Sequence, residues 1–174
     1  MKYWPVSNSY SKKIPNKGTQ GSFWEDRGDR RHCGIDIYAP TGSEVISIDD
    51  GTVIDIGIFT STDIIPYWNK TKFILIKNKD GFVFKYAELE RTTIKINEFV
   101  KGGQLIGYVG TVLNFDKITS KSPQYIQEIK KKSNSSMLHL ELYRLKPKIT
   151  KKYLGGNWFG NKKPDNLLNP YSYL

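Results

Sequence analysis

Eight short runs rich in Val, Ile, Phe and Tyr, at 34–38, 44–48, 52–58, 72–77, 82–89, 93–96, 104–112 and 138–145, are separated by Gly, Pro, Asn and Asp. That punctuation constrains the chain to a mainly β fold, because β-branched and aromatic side chains fit a pleated surface and the intervening residues permit sharp reversals. Asn78-Lys79-Asp80-Gly81 lies between 73–76 and 82–86 and reads as a hairpin, with Gly81 able to take positive φ. Asp49-Asp50-Gly51 and Lys101-Gly102-Gly103 interrupt other runs in the same way. Turns this frequent predict a twisted antiparallel sheet or a small barrel-like sandwich with little helix. The one helix expected is 123–132, where Tyr125, Ile126 and Ile129 share a face and Pro123 suits the first turn. Two polar stretches, 60–71 and 114–136, read as excursions from this framework, the first with aromatics (Tyr67, Trp68) expected to pack it down.

The 174 residues are expected to form one domain, 1–174. Apolar residues make up 38% and charged residues 25%, a globular balance. A net charge of +10 favours an anionic partner. The single cysteine, Cys33, excludes a disulfide framework and every zinc module built on paired cysteines. No stretch approaches the ~20 apolar residues of a membrane span, and Met1-Lys2-Tyr3-Trp4-Pro5 lacks the apolar run of a signal peptide, so no membrane span is expected and the cellular location is left open.

Only two histidines exist, and each has a carboxylate nearby: His32 with Asp36, His139 with Glu141. In a regular strand His32 and Asp36 would stand ~13 Å apart, too far to share one metal ion, so the chain between them must bend, and Gly34 is where a bend costs least. Around His139, period-2 alternation puts Met137, His139, Glu141 and Tyr143 on one face and Leu138, Leu140 and Leu142 on the other. Two imidazoles and a carboxylate suit a zinc ion with an open fourth position, the arrangement of catalytic sites. Cys33 alternates to the face opposite His32 and reads as a small buried residue. There is no histidine pair at helical i, i+4 spacing, no Pro-Cys-x-x-Cys after His139 and no Gly-x-Ser-x-Gly, so the common metalloprotease, nucleobase deaminase and serine hydrolase motifs are absent.

The segment Arg31-His32-Cys33-Gly34-Ile35-Asp36, the turn after it, Asp50-Gly51-Thr52-Val53 and Lys101-Gly102-Gly103-Gln104-Leu105-Ile106-Gly107 together resemble the lysostaphin-type (LytM-like) zinc endopeptidases that cut peptide bridges of peptidoglycan. The resemblance runs from about residue 21 to the C-terminus, with its core motifs at 21–145 and 146–174 as a tail packing on that core. It implies an antiparallel sheet with a groove holding zinc, ligated by His32, Asp36 and His139, and a peptide or peptidoglycan substrate. The resemblance also has two gaps. The family's Tyr-x-His-Leu is Tyr86-Ala87-Glu88-Leu89 here, and its His-x-His-x-Glu is Met137-Leu138-His139-Leu140-Glu141.

By that resemblance the missing histidines are those that activate the attacking water and stabilise the oxyanion. Glu88 is the substitute base this chain offers. Met137 can replace neither function, and Tyr143, Tyr86 and Arg31 are the nearest alternative oxyanion donors by face or motif. Glu141 is expected to hydrogen-bond a ligand imidazole and fix its tautomer. Two readings therefore share one site: a zinc metallopeptidase, or a catalytically silent zinc-binding pseudopeptidase that holds peptide or cell-wall glycopeptide. A third is a basic nucleic-acid-binding protein with Trp24, Trp68 and Trp158 as stacking platforms. The chain is expected to be a monomer, with an anionic polymer as a further possible partner of its basic surface.

Overall fold

The computed structural model describes residues 2–131, 135–148 and 150–174. Its strands are β1 (Arg31–His32), β2 (Ile35–Tyr38), β3 (Glu44–Ile46), β4 (Gly51–Thr60), β5 (Thr71–Asn78), β6 (Val83–Thr92), β7 (Phe99–Val100), β8 (Leu105–Val109), β9 (Met137–Tyr143), β10 (Tyr153–Leu154), β11 (Asn157–Trp158) and β12 (Leu167–Leu168). Helix α1 (Gln124–Lys131) buries Ile126, while Lys132, Ser133 and Asn134 of the expected helix and excursion lie outside the described residues.

The larger sheet runs β12-β9-β6-β5-β4-β7, with β2 pairing β9 beside β12 on the side opposite β6 and the β8–β3 pair branching from β6. Its pairs are antiparallel and its path ends at β12 and β7 without closing into a barrel. A three-stranded sheet, β1-β11-β10, covers part of one face. The hairpin at 78–81 forms as expected: Gly81 takes φ 89°, and Asn78 Oδ1 accepts from the N–H groups of Asp80 and Phe82. The expected strand at 93–96 does not form. The chain turns there instead, because Asn97 adopts φ 69° and the Glu98 carboxylate accepts from the Lys95 N–H. Pairing resumes only at β7.

Strand register sorts the residues onto two faces. On one, Ile35 and Ile37 of β2, Leu138, Leu140 and Leu142 of β9, and Phe84 and Tyr86 of β6 form the main core, each at most 3% exposed. Burying such side chains contributes ~1.5–3 kcal/mol each and fixes the register, since a one-residue slip would turn this face to solvent. On the other face, Asp36 pairs with His139, Ala87 with His139, and Lys85 with Glu141. The alternation of leucines with Met137, His139, Glu141 and Tyr143 thus places all the chemistry of β9 opposite the core.

Candidate metal centre

Three buried groups converge where β1, β2 and β9 meet. His32 Nε2 lies 3.0 Å from His139 Nδ1, His139 Nδ1 lies 2.9 Å from Asp36 Oδ1, and His32 Nε2 lies 3.1 Å from Asp36 Oδ1. The 13 Å of an extended strand is avoided because the chain leaves β1 after His32 and re-enters the sheet only at Ile35. Gly34 is needed at this break for a reason other than positive φ: a Cβ there would sit 2.3 Å from the Leu140 carbonyl oxygen and 3.0 Å from the His139 ring.

Hydrogen bonds on the far side of each ring set the tautomers. His32 Nδ1 is 2.8 Å from the Ser22 carbonyl oxygen, which can only accept, so the proton sits on Nδ1 and Nε2 presents a lone pair. His139 Nε2 is 2.8 Å from Glu141 Oε1 and donates to it, leaving Nδ1 bare. Burial would raise the Glu141 carboxyl, but the Lys85 charge and the His139 hydrogen bond hold it well below the usual range, so it is an acceptor. Asp36 is likewise held down against its burial by the His32 and His139 rings. The lone pairs of two imidazoles and a carboxylate thus face one another, an arrangement that repels itself unless a cation or a proton stands among them.

Burial would depress His139, yet its hydrogen bonds to Asp36 and Glu141 lift it to about 9. His32, Asp36 and His139 are the one group of potential metal ligands of this kind among the described residues. A tetrahedral zinc with ~2.0–2.1 Å bonds spaces its ligands ~3.3–3.4 Å apart, so the triangle needs to widen by only ~0.3 Å to take one. The residues present fit the ion.

Several supports escaped sequence reasoning because they are distant in the chain or structurally unremarkable there. Arg27 donates to Asp36 Oδ2 at 3.1 Å, and it also donates to Glu25 and Asn157. With Oδ2 so held, Oδ1 is the oxygen offered to the cluster. Phe59, at the end of β4, stacks on the His139 ring with centroids 5.7 Å apart. Gly156, at φ 76°, approaches the same ring so closely that a Cβ would lie 2.6 Å from Nε2.

Of the residues advanced for catalysis, Glu88 reaches the site. A groove of about 600 Å³ beside this cluster is lined by Asp36, His139, Glu88, Met137, Tyr38 and Arg27, among others. Glu88 gets there through a bulge: Tyr86 pairs with Ile74 and Leu89 with Lys72, so three steps of β6 oppose two of β5. Tyr86 and Leu89 both face the core, and the extra residue is absorbed at Glu88 by φ 65°, a left-handed conformation unfavourable for a side chain of this kind. Glu88 Oε2 is shut off from solvent and has no hydrogen-bond partner. Burial, and next the Asp36 charge, push its pKa up to about 8, against the pull of His139 and Arg27.

Arg31 and Tyr143 lie elsewhere. Arg31 adjoins His32 in β1 and pairs with Asp26 at 2.9 Å, while the Tyr143 hydroxyl donates to Glu141 Oε2 inside the smaller apolar cluster that also buries Cys33. Tyr86 is wholly in the core, its hydroxyl accepting from the Ile48 N–H. Of the three tryptophans considered as stacking platforms, Trp24 and Trp158 pack against the smaller cluster and Trp68 lies against Gly155.

The Glu88 shift has a consequence for the metal-free protein. A carboxyl with a folded pKa of about 8 against an ordinary 4.5 stabilises the fold below pH 4.5 and loses that contribution as pH rises through 8. Glu88→Gln lacks the ionisation. Thermal melts of the metal-free proteins are therefore expected to favour the variant increasingly between pH 5 and pH 9, by on the order of 2 kcal/mol after allowing for partial solvation.

The fold and this cluster define an antiparallel-sheet protein with a buried His–Asp–His set, two of whose members, Asp36 and His139, line a groove. Residues 30–150 match Peptidase family M23, and the chain belongs to that family. It is 31% identical over 107 residues to the cell division protein DipM of Caulobacter vibrioides, a match covering 62% of this chain and 15% of that protein. Over 96 residues it is 27% identical to the glycyl-glycine endopeptidase ALE-1 of Staphylococcus capitis, covering 51% of this chain and 25% of that one. The chain thus matches a quarter or less of the length of these relatives. Among solved structures it is similar to the catalytic domain of the antimicrobial peptidase lysostaphin from Staphylococcus simulans, with TM-score 0.54 and 16% identity over 89% of each chain. It is also similar to a chain of the SpoIIIAH and SpoIIQ complex, with TM-score 0.56 and 16% identity over the whole of both chains. At these identities the structural likeness is one of fold.

Proposed function

We propose that this protein is a zinc metallopeptidase hydrolysing peptide bonds of the peptidoglycan cross-link class, with His32, Asp36 and His139 as metal ligands and Glu88 as the base. The observation that carries this reading is the bulge in β6, which holds Glu88 at positive φ in the groove wall and leaves one oxygen of its carboxyl buried and unpartnered. Strain of this kind persists where the surroundings enforce it, and it concentrates at working sites. The names of ALE-1, a glycyl-glycine endopeptidase, and of lysostaphin, an antimicrobial peptidase, support peptide bonds of the cell wall as the substrate class. The +10 charge suits an anionic wall polymer as a partner.

Bound to the three ligands, zinc supplies Lewis acidity that acidifies water and polarises a carbonyl. The Glu88 carboxyl, in its ionised form, takes a proton from the attacking water and delivers it to the leaving amine, and the pKa raised by burial makes it a stronger base than an ordinary carboxylate. Arg27 keeps Asp36 from rotating its second oxygen towards the cation site. Glu141 and the Ser22 carbonyl keep the two imidazoles in the tautomers that ligation requires.

One observation favours a second reading, the catalytically silent zinc-binding module. Met137 stands in the groove wall without a proton to donate, and Tyr143 and Arg31 are engaged elsewhere. Metal analysis combined with an assay on purified peptidoglycan separates the two. The expected result is one zinc per chain, lost in His32→Ala and His139→Ala, together with weak hydrolysis. An oxyanion donor is worth ~100- to 1,000-fold in rate, so Met137→His is expected to raise turnover at least tenfold. Full zinc occupancy with no turnover in the parent or in Met137→His would establish the silent module.

A further inference from the structure

We propose that Lys85 is a positioning residue for the metal centre: acting through Glu141, its buried ammonium fixes the His139 ring with Nδ1 turned towards the cation site. The inference rests on reading His139 as a metal ligand. Lys85 is only 5% exposed, and a lysine is almost never so buried without a partner. It stands directly opposite Glu141 across the β6–β9 pair. Its Nζ donates to the Tyr153 hydroxyl, lies 3.4 Å from Glu141 Oε2, and sits 4.1 Å from the ring centre of Tyr153 and 4.9 Å from that of Phe59.

Glu141 collects what these groups supply. Its Oε1 accepts from His139 Nε2 at 2.8 Å and from the Tyr153 hydroxyl at 2.5 Å, while Oε2 accepts from the Tyr143 hydroxyl at 2.5 Å and faces the Lys85 ammonium. Each oxygen therefore has two polar partners, and the carboxylate has no freedom to turn. Of its four partners only His139 belongs to the metal cluster. Phe59 bridges the same two ends, stacking on His139 and lying under the Lys85 ammonium.

A buried ion pair is a weak device for stability, because apolar residues of similar volume fill such a space without desolvating two charges. What this pair does contribute is a single orientation. With Lys85 removed, Glu141 keeps its hydrogen bonds from His139, Tyr143 and Tyr153 but loses the ammonium that faces Oε2, and it is freed to turn away from His139. The ring then loses the acceptor that holds its proton on Nε2. The sequence carried no sign of this, since a lysine in a strand reads as a solvated residue.

The test is a double-mutant cycle read by zinc titration of metal-stripped protein, with 15N NMR of the His139 tautomer as a second readout. In Lys85→Met, zinc affinity is expected to fall 10- to 100-fold, the usual effect of losing a partner that orients a ligand. The His139 spectrum, recorded above pH 9 where the metal-free ring is neutral, should shift from the Nε2–H form to a mixture. In the Glu141→Gln background, which has no anion to compensate, Lys85→Met should change affinity less than threefold. Tyr153→Phe removes one hydroxyl and keeps the ring, so it samples the same network even if Lys85→Met does not fold, and a loss of at least threefold is expected. Unchanged affinity and tautomer in both Lys85→Met and Tyr153→Phe, or an equal loss from Lys85→Met in both backgrounds, would overturn the proposal. Tight zinc binding without peptide cleavage counts against the hydrolase and not against Lys85. A parent protein that takes up no zinc defeats the metal reading itself, whereas a fixed Nε2–H tautomer lost in Lys85→Met still supports the Lys85–Glu141–His139 linkage.

Discussion

Glu88→Gln is expected to cut hydrolysis of peptidoglycan or model peptides at least tenfold while leaving one zinc per chain. The substitution keeps the size of the side chain and removes only its capacity to accept and return a proton, so the loss measures general acid–base catalysis, worth ~10²–10⁴-fold. Zinc content should hold because Glu88 hydrogen-bonds none of His32, Asp36 and His139, which take their supports from Ser22, Arg27 and Glu141. The backbone should hold as well: the left-handed φ of Glu88 is imposed by three residues of β6 spanning two of β5, and Glu88 contributes its carbonyl to the Gly110 N–H whatever its side chain. Zinc analysis and initial rates on the same preparations check both halves. Equal turnover in parent and variant would remove Glu88 from the reaction, and zinc lost along with turnover would make it a ligand instead.

Much of the architecture follows from local residue patterns. Alternation in β9 places His139, Glu141 and Tyr143 together, and the same rule, applied to Arg31 beside His32, already turns Arg31 away from the groove. Glu141 behaves as its spacing from His139 suggests. Alternation misleads at Glu88, two residues from the core residue Tyr86, because a bulge is a property of two paired strands and leaves no mark in one of them. Arg27, Phe59 and Gly156 escaped for a related reason. Arg27 sits in a charged run that reads as solvated, and Phe59 and Gly156 lie 80 and 17 residues from His139 in the chain, brought to it only by the assembled sheets. The break at Gly34 was legible, but its cause was not: the glycine answers to the Leu140 carbonyl on a strand more than a hundred residues away.

That cause makes Gly34→Ala the most disruptive small substitution expected in this protein. A Cβ at this position would lie 2.3 Å from the Leu140 oxygen and 2.9 Å from its carbonyl carbon, and both belong to the backbone of a strand hydrogen-bonded on each side. No rotamer change relieves a backbone clash, so β2 must move away from β9. The pairs Ile35–Leu140 and Asp36–His139 stand next to the clash and open first. Overpacking of a well-ordered interior costs ~1–3 kcal/mol where neighbours can shift, and with the neighbour fixed in a central strand about 3 kcal/mol or more is expected. For a chain of 174 residues that corresponds to a fall in melting temperature of about 6–12 °C. The metal centre should suffer more than the fold. Asp36 Oδ1 and His139 Nδ1 are 2.9 Å apart because their strands pair at that point, and ligands held within a few tenths of an ångström do not tolerate a strand displaced by more than that. Zinc affinity is therefore expected to fall more than a hundredfold, with the far-UV spectrum of a β protein retained at 20 °C. Calorimetry and zinc titration on the same sample check the pair of expectations, and an alanine variant with parental zinc affinity would show that the close approach of β2 to β9 does not set the geometry of the cluster.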